Sequence, residues 1–447
     1  MKRYSLTVLL ALLAFTALVP AQPLRGSYFF ETSLLRSKLN PAFAPQTDLY
    51  ISVPVAGYAS AEMLSNVGLG NFLFPEGDND KTYTFLNDHV DKATFYGKLP
   101  EKDPYLTARF ETDLLGAGYR LNDKLFLSAG LSVSGYGHAD IPRELLRFAK
   151  TGRSGGSQSW MIEGPHASFL TYATFSAGCS YDLDDLVPGL RVGGRLRLMT
   201  GLNAANATLH KLDVQMNDEH LAATVRGIID LSGFSYTPEG GFRSDGFRLH
   251  GLGAAFDLGA EYRLRFDGFV NGLNLSASIA NVGKLSFGKA NRLKAEHSAS
   301  FEGFQDISAD FDFASALEKV TSDFSELVTL ESDGTPDLRY IMSPEIFAGA
   351  EVPFLNEMLS VGLLYNRSMD KNHMTVAFNA TPLEWLNLNA HYTFGPVGRM
   401  GFYAEYIPKK YVGFFFGFEK ASWKTNKQLL GIRNFTESVC LGLNVLL

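Results

Sequence analysis

Cysteine is almost absent from this 447-residue sequence, and its scarcity restricts the kinds of site that the chain can build. The only two cysteines, Cys179 and Cys440, lie far apart. They supply neither a disulfide framework nor a cysteine pair with metal-ligand spacing. No cysteine lies directly after the apolar N-terminal stretch, which argues against a lipid-anchored N-terminus.

An excess of positive charge and long hydrophobic runs are also missing. Lys and Arg number 40 against 47 Asp and Glu, and the net charge of −7 gives no nucleic-acid footprint. Apart from residues 6–18, no stretch approaches the roughly 18 apolar residues that a membrane helix requires. We therefore predict no membrane helix in the mature chain.

The first residues have the organisation of a secretory signal peptide. A positive MKR precedes the apolar stretch from Leu6 to Leu18, and Val19-Pro20-Ala21 supplies a small-residue cleavage site before Gln22. We predict that residues 1–21 are removed on export. The alternative is an N-terminal membrane anchor, which the short apolar core disfavours.

What the chain has in abundance is aromatic residues, glycine and strict alternation. Phe and Tyr number 35 and 19, and Gly numbers 43. In WLNLNAHYTF, residues 385–394, apolar and polar side chains alternate and so occupy opposite faces of a strand. The pattern recurs in HMTVAFNA, RMGFYAEY and YVGFFFGFE with short turns between, which predicts an antiparallel meander.

Connection lengths distinguish a membrane barrel from a soluble sandwich, which would alternate equally well. We count about 16 candidate strands, among them 48–58, 189–201 and 203–216. Numbered along the chain, the strands that are followed by long connections are all odd-numbered. The long connections are 59–104, 138–165, 231–250, 282–342 and 421–435. Long loops at one rim and tight turns at the other are typical of a bacterial outer-membrane barrel.

The predicted fold is therefore all-β, a transmembrane antiparallel β-barrel of about 14 to 16 strands in the outer membrane. Leu386 and the other apolar residues of its strand should face lipid, whereas Asn387 and His391 should face the lumen. Rings at strand ends fit the aromatic girdles of such barrels. These are Trp385, Tyr392, Tyr406 and Tyr411.

Two stretches carry a family resemblance: KLNPAFAP, Lys38 to Pro45, and the glycine-rich region from Gly251 to Gly288. They resemble a family of outer-membrane barrels of Bacteroidetes-type bacteria, known mainly as a domain of unknown function. That family is similar to the long-chain fatty-acid transporter barrels and to the shuttle barrel of the type IX secretion system. Because transporter relatives have 14 strands, a count of 16 includes two strands too many. The hairpin at 203–230 is the candidate for these two strands, since it could extend beyond the membrane.

The resemblance implies that residues 22–47 form an N-terminal plug, or hatch, and residues 48–447 the barrel. Ladder-breaking prolines support this interpretation, and a lumen of this width needs filling. The alternative is a disordered periplasmic tail. The plug residues singled out are Asn40, Pro41, Phe43 and Pro45.

Five arginines on predicted inward faces are candidate ligand-binding residues: Arg109, Arg191, Arg195, Arg197 and Arg263. Glu111, Asp113, Asp257 and Glu261 share those faces. The favoured interpretation is a salt-bridged interior that braces the wall and the plug. The alternative is that some guanidinium groups hold the carboxylate of a fatty-acid-like ligand.

Other signals are weaker. Residues 311–330 place apolar side chains at spacings of three and four, which predicts an amphipathic helix in a surface loop. Ser168 lies two residues from His166, a spacing common by chance. Gly77 to Asp80 lacks the further ligands of a calcium loop. We predict neither an enzyme, a metal site nor a cofactor.

The expected function is binding or passage of a hydrophobic or amphipathic small molecule across the outer membrane. The alternative is an assembly or docking barrel whose loops bind a secreted or surface protein. A cavity that reaches a gap in the wall would favour transport, and an apolar patch on the loops would favour docking. Outer-membrane lipid is the expected surrounding partner in both cases.

Overall fold

The computed structural model describes residues 24–75, 82–87, 89–151, 158–162, 164–216, 221–237, 241–246, 248–301, 330–368, 371–408, 411–421 and 436–446. The predicted signal peptide, the turn at 77–80 and all but the last residue of the predicted helix at 311–330 lie outside these ranges.

Strands dominate the described residues, as the alternation predicts. They are β1 Leu49–Ser52, β2 Ala59–Ser65, β3 Leu73–Pro75, β4 Thr82–Thr84, β5 Tyr105–Arg120, β6 Leu125–Asp140, β7 Gln158–Ile162, β8 His166–Asp182, β9 Leu190–Met216, β10 Leu221–Ser232, β11 Phe234–Thr237, β12 Gly241–Ser244, β13 Gly251–Arg265, β14 Gly272–Lys289, β15 Asn291–Phe301, β16 Leu330–Ser332, β17 Asp337–Ile341, β18 Glu345–Phe354, β19 Leu359–Ser368, β20 Lys371–Leu383, β21 Leu386–Phe394, β22 Arg399–Tyr406, β23 Val412–Lys420 and β24 Thr436–Leu446.

Fourteen positions form a closed antiparallel wall, which confirms the predicted barrel at the lower strand count. The wall runs β1/β2, β5, β6, β8, β9, β13, β14, β17/β18, β19, β20, β21, β22, β23, β24. β1 and β2 share the first position. Each pairs with β5 on one side and β24 on the other, which closes the barrel.

The separate strands predicted at 189–201 and 203–216 are one continuous strand, β9. Its first part pairs with β13, and its last part pairs with β10, which in turn pairs with β15 beyond the wall. Gly201 does not mark a turn. A Cβ at this position would overlap the ring of Phe287, so the glycine allows close packing instead.

The first wall strand is interrupted, whereas the sequence predicts one strand at 48–58. The ladder leaves regular geometry after Ser52 and resumes at Ala59. Val55 has a φ of 63° and is 60% exposed. Its amide donates to the carbonyl of Asp113 at 2.9 Å, and the amide of Asp113 donates to the carbonyl of Tyr58 at 2.9 Å.

The alternating side chains of β21 face as predicted. Asn389 and His391 are 1% and 4% exposed, whereas Tyr392 and Phe394 are 41% and 54% exposed. Trp385, Tyr406 and Tyr411 are also exposed, at strand ends. The outer surface is therefore apolar with rings at its margin, and the polar side chains are enclosed.

The helices are short: α1 Leu24–Ser27, α2 Arg36–Leu39, α3 Leu69–Phe72, α4 Lys92–Lys98 and α5 Arg143–Thr151. Asp91 caps α4 by accepting from the amide of Thr94 at 2.9 Å, and hydrogen bonds from Thr94 lower the pKa of the Asp91 carboxyl. Phe95 and Leu146 join α4 and α5 in one apolar cluster between two surface loops.

None of the helices in the described ranges has the length and apolar character needed to cross a bilayer.

Candidate functional site in the lumen

Residues 24–47, here called the lumen segment, contact strands on several sides of the barrel. Arg25 donates to Glu419 of β23 at 2.9 and 3.1 Å, and Arg36 donates to Glu261 of β13 at 2.7 Å. These four side chains are nearly or fully buried. Because buried charges are costly unless paired, each pair is a strong positional constraint.

Lys38 supplies a third charged anchor. Its Nζ donates to Glu111 at 2.8 Å and to Asp113 at 2.7 Å, both on β5. Burial favours the neutral amine, but the two carboxylates outweigh that effect and raise the pKa of Lys38. The same Nζ lies 4.3 Å from the ring centroid of Tyr58, beside the interruption in the first strand.

Polar contacts to backbone atoms hold the turn after α2. The side-chain amide of Asn40 donates to the carbonyls of Ala260 and Ala277 at 3.1 and 3.3 Å. The hydroxyls of Ser278 and Ser180 donate to the carbonyls of Leu39 and Ala42, each at 2.7 Å.

Glycines in the wall make this close approach possible. A Cβ on Gly259 would overlap the side-chain oxygen of Asn40, and one on Gly193 would overlap the carbonyl of Pro41. Both glycines lie on barrel strands, β13 and β9, where glycine is otherwise unfavourable. The wall is therefore shaped around the lumen segment.

All four residues singled out in this segment are buried: Asn40, Pro41, Phe43 and Pro45. The guanidinium carbon of Arg36 lies 3.7 Å from the ring centroid of Phe43, and the rings of Phe43 and Tyr28 meet edge to face at 5.1 Å. Segment and wall thus share one apolar core, which includes Tyr28, Phe43 and Tyr403.

Each of the five candidate arginines lies beside a carboxylate. Arg109 donates to Glu62 at 2.8 Å and lies 3.3 Å from Glu345. Arg197 donates to Asp257 at 2.8 Å. Arg195 lies 3.6 Å from the same Asp257 and also donates to the carbonyl of Ser37 in the lumen segment.

The other two arginines lie near the tight-turn rim. Arg191 donates to Asp182 at 2.9 Å, and Arg263 contacts Glu261 at 2.9 Å and Glu31 at 2.6 Å. The five arginines line two separate cavities. Arg109, Arg195 and Arg197 line one cavity, whereas Arg191 and Arg263 line another.

The cavity beside the lumen segment has a volume of about 480 Å³. Its wall on β6 and β8 carries small inward residues that leave this space: Ser128, Gly130, Ser132, Ser134, Thr174 and Ser176. Lys38 and the arginines of the flanking strands, β5 and β9, line the same cavity. Tyr136, Leu170, Tyr172 and Met342 add an apolar end to this upper cavity.

The upper cavity reaches a break in the wall ladder. The pairing of β14 with β18 ends where Ala280 faces Glu345, and its pairing with β17 begins where Lys284 faces Ile341. Residues 281–283 and 342–344, which lie between these two pairs, are outside this ladder. Asn281, with a φ of 60°, and Met342 lie at this break and line the cavity. Ile341, directly beside it, is 87% exposed on the outer surface.

A further space of about 1060 Å³, distinct from the one lined by Arg191 and Arg263, lies at the tight-turn rim beneath the lumen segment. Phe29, Phe30 and Glu31 line it together with the turns that join the wall strands. The lumen segment therefore lies between this space and the upper cavity.

A buried polar chain that sequence reasoning did not assemble crosses the opposite half of the wall. Arg399 lies 3.2 Å from Glu62 and 3.4 Å from Glu419, and His391 lies 3.1 Å from Glu419. His391 and Asn389 continue the chain at 2.6 Å. The alternation placed His391 on the inner face, but no local pattern identifies its partners.

The weaker sequence signals, the His166 and Ser168 pair and the possible metal ligands, do not correspond to a site in the described residues. His166 lies 3.4 Å from the hydroxyl of Thr208, and among the described residues it makes no hydrogen bond with Ser168. In the same part of the chain, no group of three or more His, Cys, Asp or Glu side chains is arranged to hold a metal ion.

A closed 14-position barrel with an apolar exterior and a polar interior is built as a bacterial outer-membrane β-barrel. More particularly, the chain belongs to a family of unknown function, DUF5723, whose model matches residues 41–414. This confirms the family resemblance of residues 38–45 and 251–288. No curated protein matches the sequence.

Solved structures with a similar fold are distant in sequence. The toluene transporter TodX of P. putida is 13% identical, with a TM-score of 0.47 and 91% of each chain covered. A FadL homologue of Pseudomonas aeruginosa is 12% identical, with a TM-score of 0.43, and the match covers 94% of this chain and 95% of that one. The translocator domain of the autotransporter NalP from Neisseria meningitidis is 9% identical, with a TM-score of 0.35 and coverage of 92% and 94%.

Proposed function

We propose that this protein binds a hydrophobic or amphipathic small molecule in the lumen and passes it across the outer membrane. After export and removal of residues 1–21, residues 22–47 act as the plug and residues 48–447 as the barrel. The protein does so without enzymatic chemistry.

The upper cavity is the observation that carries this proposal. Its volume of about 480 Å³ falls within the usual range of small-molecule sites. It combines an apolar end with charged and hydroxyl groups, which suits an amphipathic ligand. It also abuts the break in the β14 ladder beside Ile341, across which the amide of Met342 donates to the carbonyl of Gly283 at 3.0 Å.

The candidate arginines brace this site in the proposed mechanism. Because Arg109, Arg195 and Arg197 are already paired, they fix the cavity wall and orient the plug. The docking alternative gains no support from the loop helices α4 and α5, whose buried apolar side chains pack on each other around Phe95.

A variant that fills the cavity tests the proposal. Ser132→Phe places a ring in the upper cavity, whereas Val133→Phe places the same ring on the outer face of the same strand. Native mass spectrometry after purification in mild detergent should show a retained small molecule on the wild type and on Val133→Phe.

Ser132→Phe should assemble as a heat-modifiable barrel and lose that molecule. Equal retention by a correctly assembled Ser132→Phe variant would contradict a ligand in this cavity. Retention of a protein in place of a small molecule would support the docking alternative.

A further inference from the structure

We propose that the ligand presents a neutral, hydroxyl-rich head group, such as a sugar ring, to the upper cavity. This inference rests on the proposed function and specifies its ligand class. It follows from the charge balance of the cavity, from its hydroxyl groups that lack partners, and from its aromatic end.

The charges that line the cavity cancel. Four cations, Lys38, Arg109, Arg195 and Arg197, and four carboxylates, Glu62, Glu111, Asp113 and Glu345, line it. Arg195 and Arg197 pair with a fifth carboxylate, the buried Asp257, outside this lining. Each cation lies within 4 Å of a carboxylate. An anionic head would have to displace a carboxylate from one of these cations, whereas a neutral polar head leaves every pair intact.

Hydroxyl groups supply the hydrogen-bonding capacity that remains. Ser52, Ser128, Ser132 and Thr174 line the cavity, and none of their hydroxyls bonds to another described residue. A hydroxyl both donates and accepts, so these groups complement a ligand that also does both. The Tyr340 hydroxyl, at the apolar end, is likewise buried without a partner.

The positions of these groups fit a ring with several hydroxyls. Ser132 and Thr174 are direct partners across β6 and β8, so their side chains are about 5 Å apart. The tyrosine rings at the other end, Tyr136 and Tyr172, offer flat apolar faces against which the C–H face of a sugar ring or an attached apolar group packs.

The test compares three probes of equal chain length: octyl β-glucoside, octanoate and 1-octanol. Each is measured by equilibrium dialysis against the full-length protein in amphipol, below its aggregation concentration and with empty amphipol as the blank. The glucoside should bind most tightly, and octanoate should bind no better than octanol.

Paired substitutions locate the effect. Ser132→Ala with Thr174→Val removes two inward hydroxyls with little change in shape. Val133→Ala with Ala173→Val alters the adjacent pair on the outer face. The inward pair should weaken glucoside binding at least tenfold, as expected for the loss of two neutral hydrogen bonds, and the outward pair should leave it unchanged.

The outcomes separate this inference from the proposed function. Preferential binding of octanoate that Arg195→Gln abolishes would overturn the neutral-head assignment and keep the proposed function. No cavity-dependent binding of any probe, together with unchanged ligand retention by Ser132→Phe, would overturn both.

Discussion

The buried carboxylate of Glu419 offers the sharpest test of what holds the lumen segment in the barrel. Its side chain has no exposed surface and lies within 3.4 Å of Arg25, Arg399 and His391. Glu419→Ala leaves Arg25 with only the Asn366 side chain, at 3.0 Å, as a described partner. Arg399 retains Glu62 at 3.2 Å.

The expected cost follows from burial. Removal of one partner from a buried ion pair costs about 3–5 kcal/mol, which is roughly a hundred- to several-thousandfold in the unfolding equilibrium. The measurement is the urea midpoint of the purified barrel in detergent micelles, with the slope of the transition checked for constancy.

An exposed pair of similar length is the matched control. Arg339 and Asp337 meet at 2.8 Å, but their side chains are 69% and 54% exposed. Asp337→Ala should therefore cost at most about 1 kcal/mol. A midpoint for Glu419→Ala that falls no further than that for Asp337→Ala would refute the argument from burial.

Two further predictions concern the fit of the lumen segment and the orientation of the wall. Gly259→Val should push Asn40 out of its contact and increase tryptic cleavage within the lumen segment. Gly137→Ala is the control, because a Cβ there has at least 3.9 Å of clearance and cleavage should not change. Equal cleavage of the two variants would mean that Gly259 is not a packing site. Cys179 is exposed on the wall, whereas Cys440 is buried. In intact vesicles an apolar maleimide should therefore label Cys179 alone, and a charged maleimide should label neither cysteine. Rapid labelling of Cys179 by the charged reagent would mean that the outer face of the wall is in water.

The alternation of single strands, together with the lengths of the connections between them, was enough to predict the barrel. In β21, side-chain size and polarity at every second position already assign inside and outside, because a strand has a period of two. The same periodicity does not detect interruptions. Residues 53–58 remain apolar through the interruption between β1 and β2, so the sequence gives no sign of it. The interruption is visible only in the structure, where the backbone of Asp113 bonds to both Val55 and Tyr58.

The site was predictable only in part. The inward phase of Arg109, Arg195 and Arg197 follows from their strands, and all three line the upper cavity. The pairing of Arg25 with Glu419 joins positions 394 residues apart, and no local pattern carries that information. The cavity itself arises from small residues on β6 and β8, which in sequence look like ordinary strand serines.

The three cationic anchors of the lumen segment attach to β23, β13 and β5, which are separated around the wall. When one of these ion pairs is removed, the other two still hold the lumen segment in the barrel, but the segment can rotate about them. Loss of a single anchor should therefore tilt the segment and change the shape of the space beside it. Displacement of the segment from the lumen requires the loss of all three ion pairs and of the hydrogen bonds around Asn40.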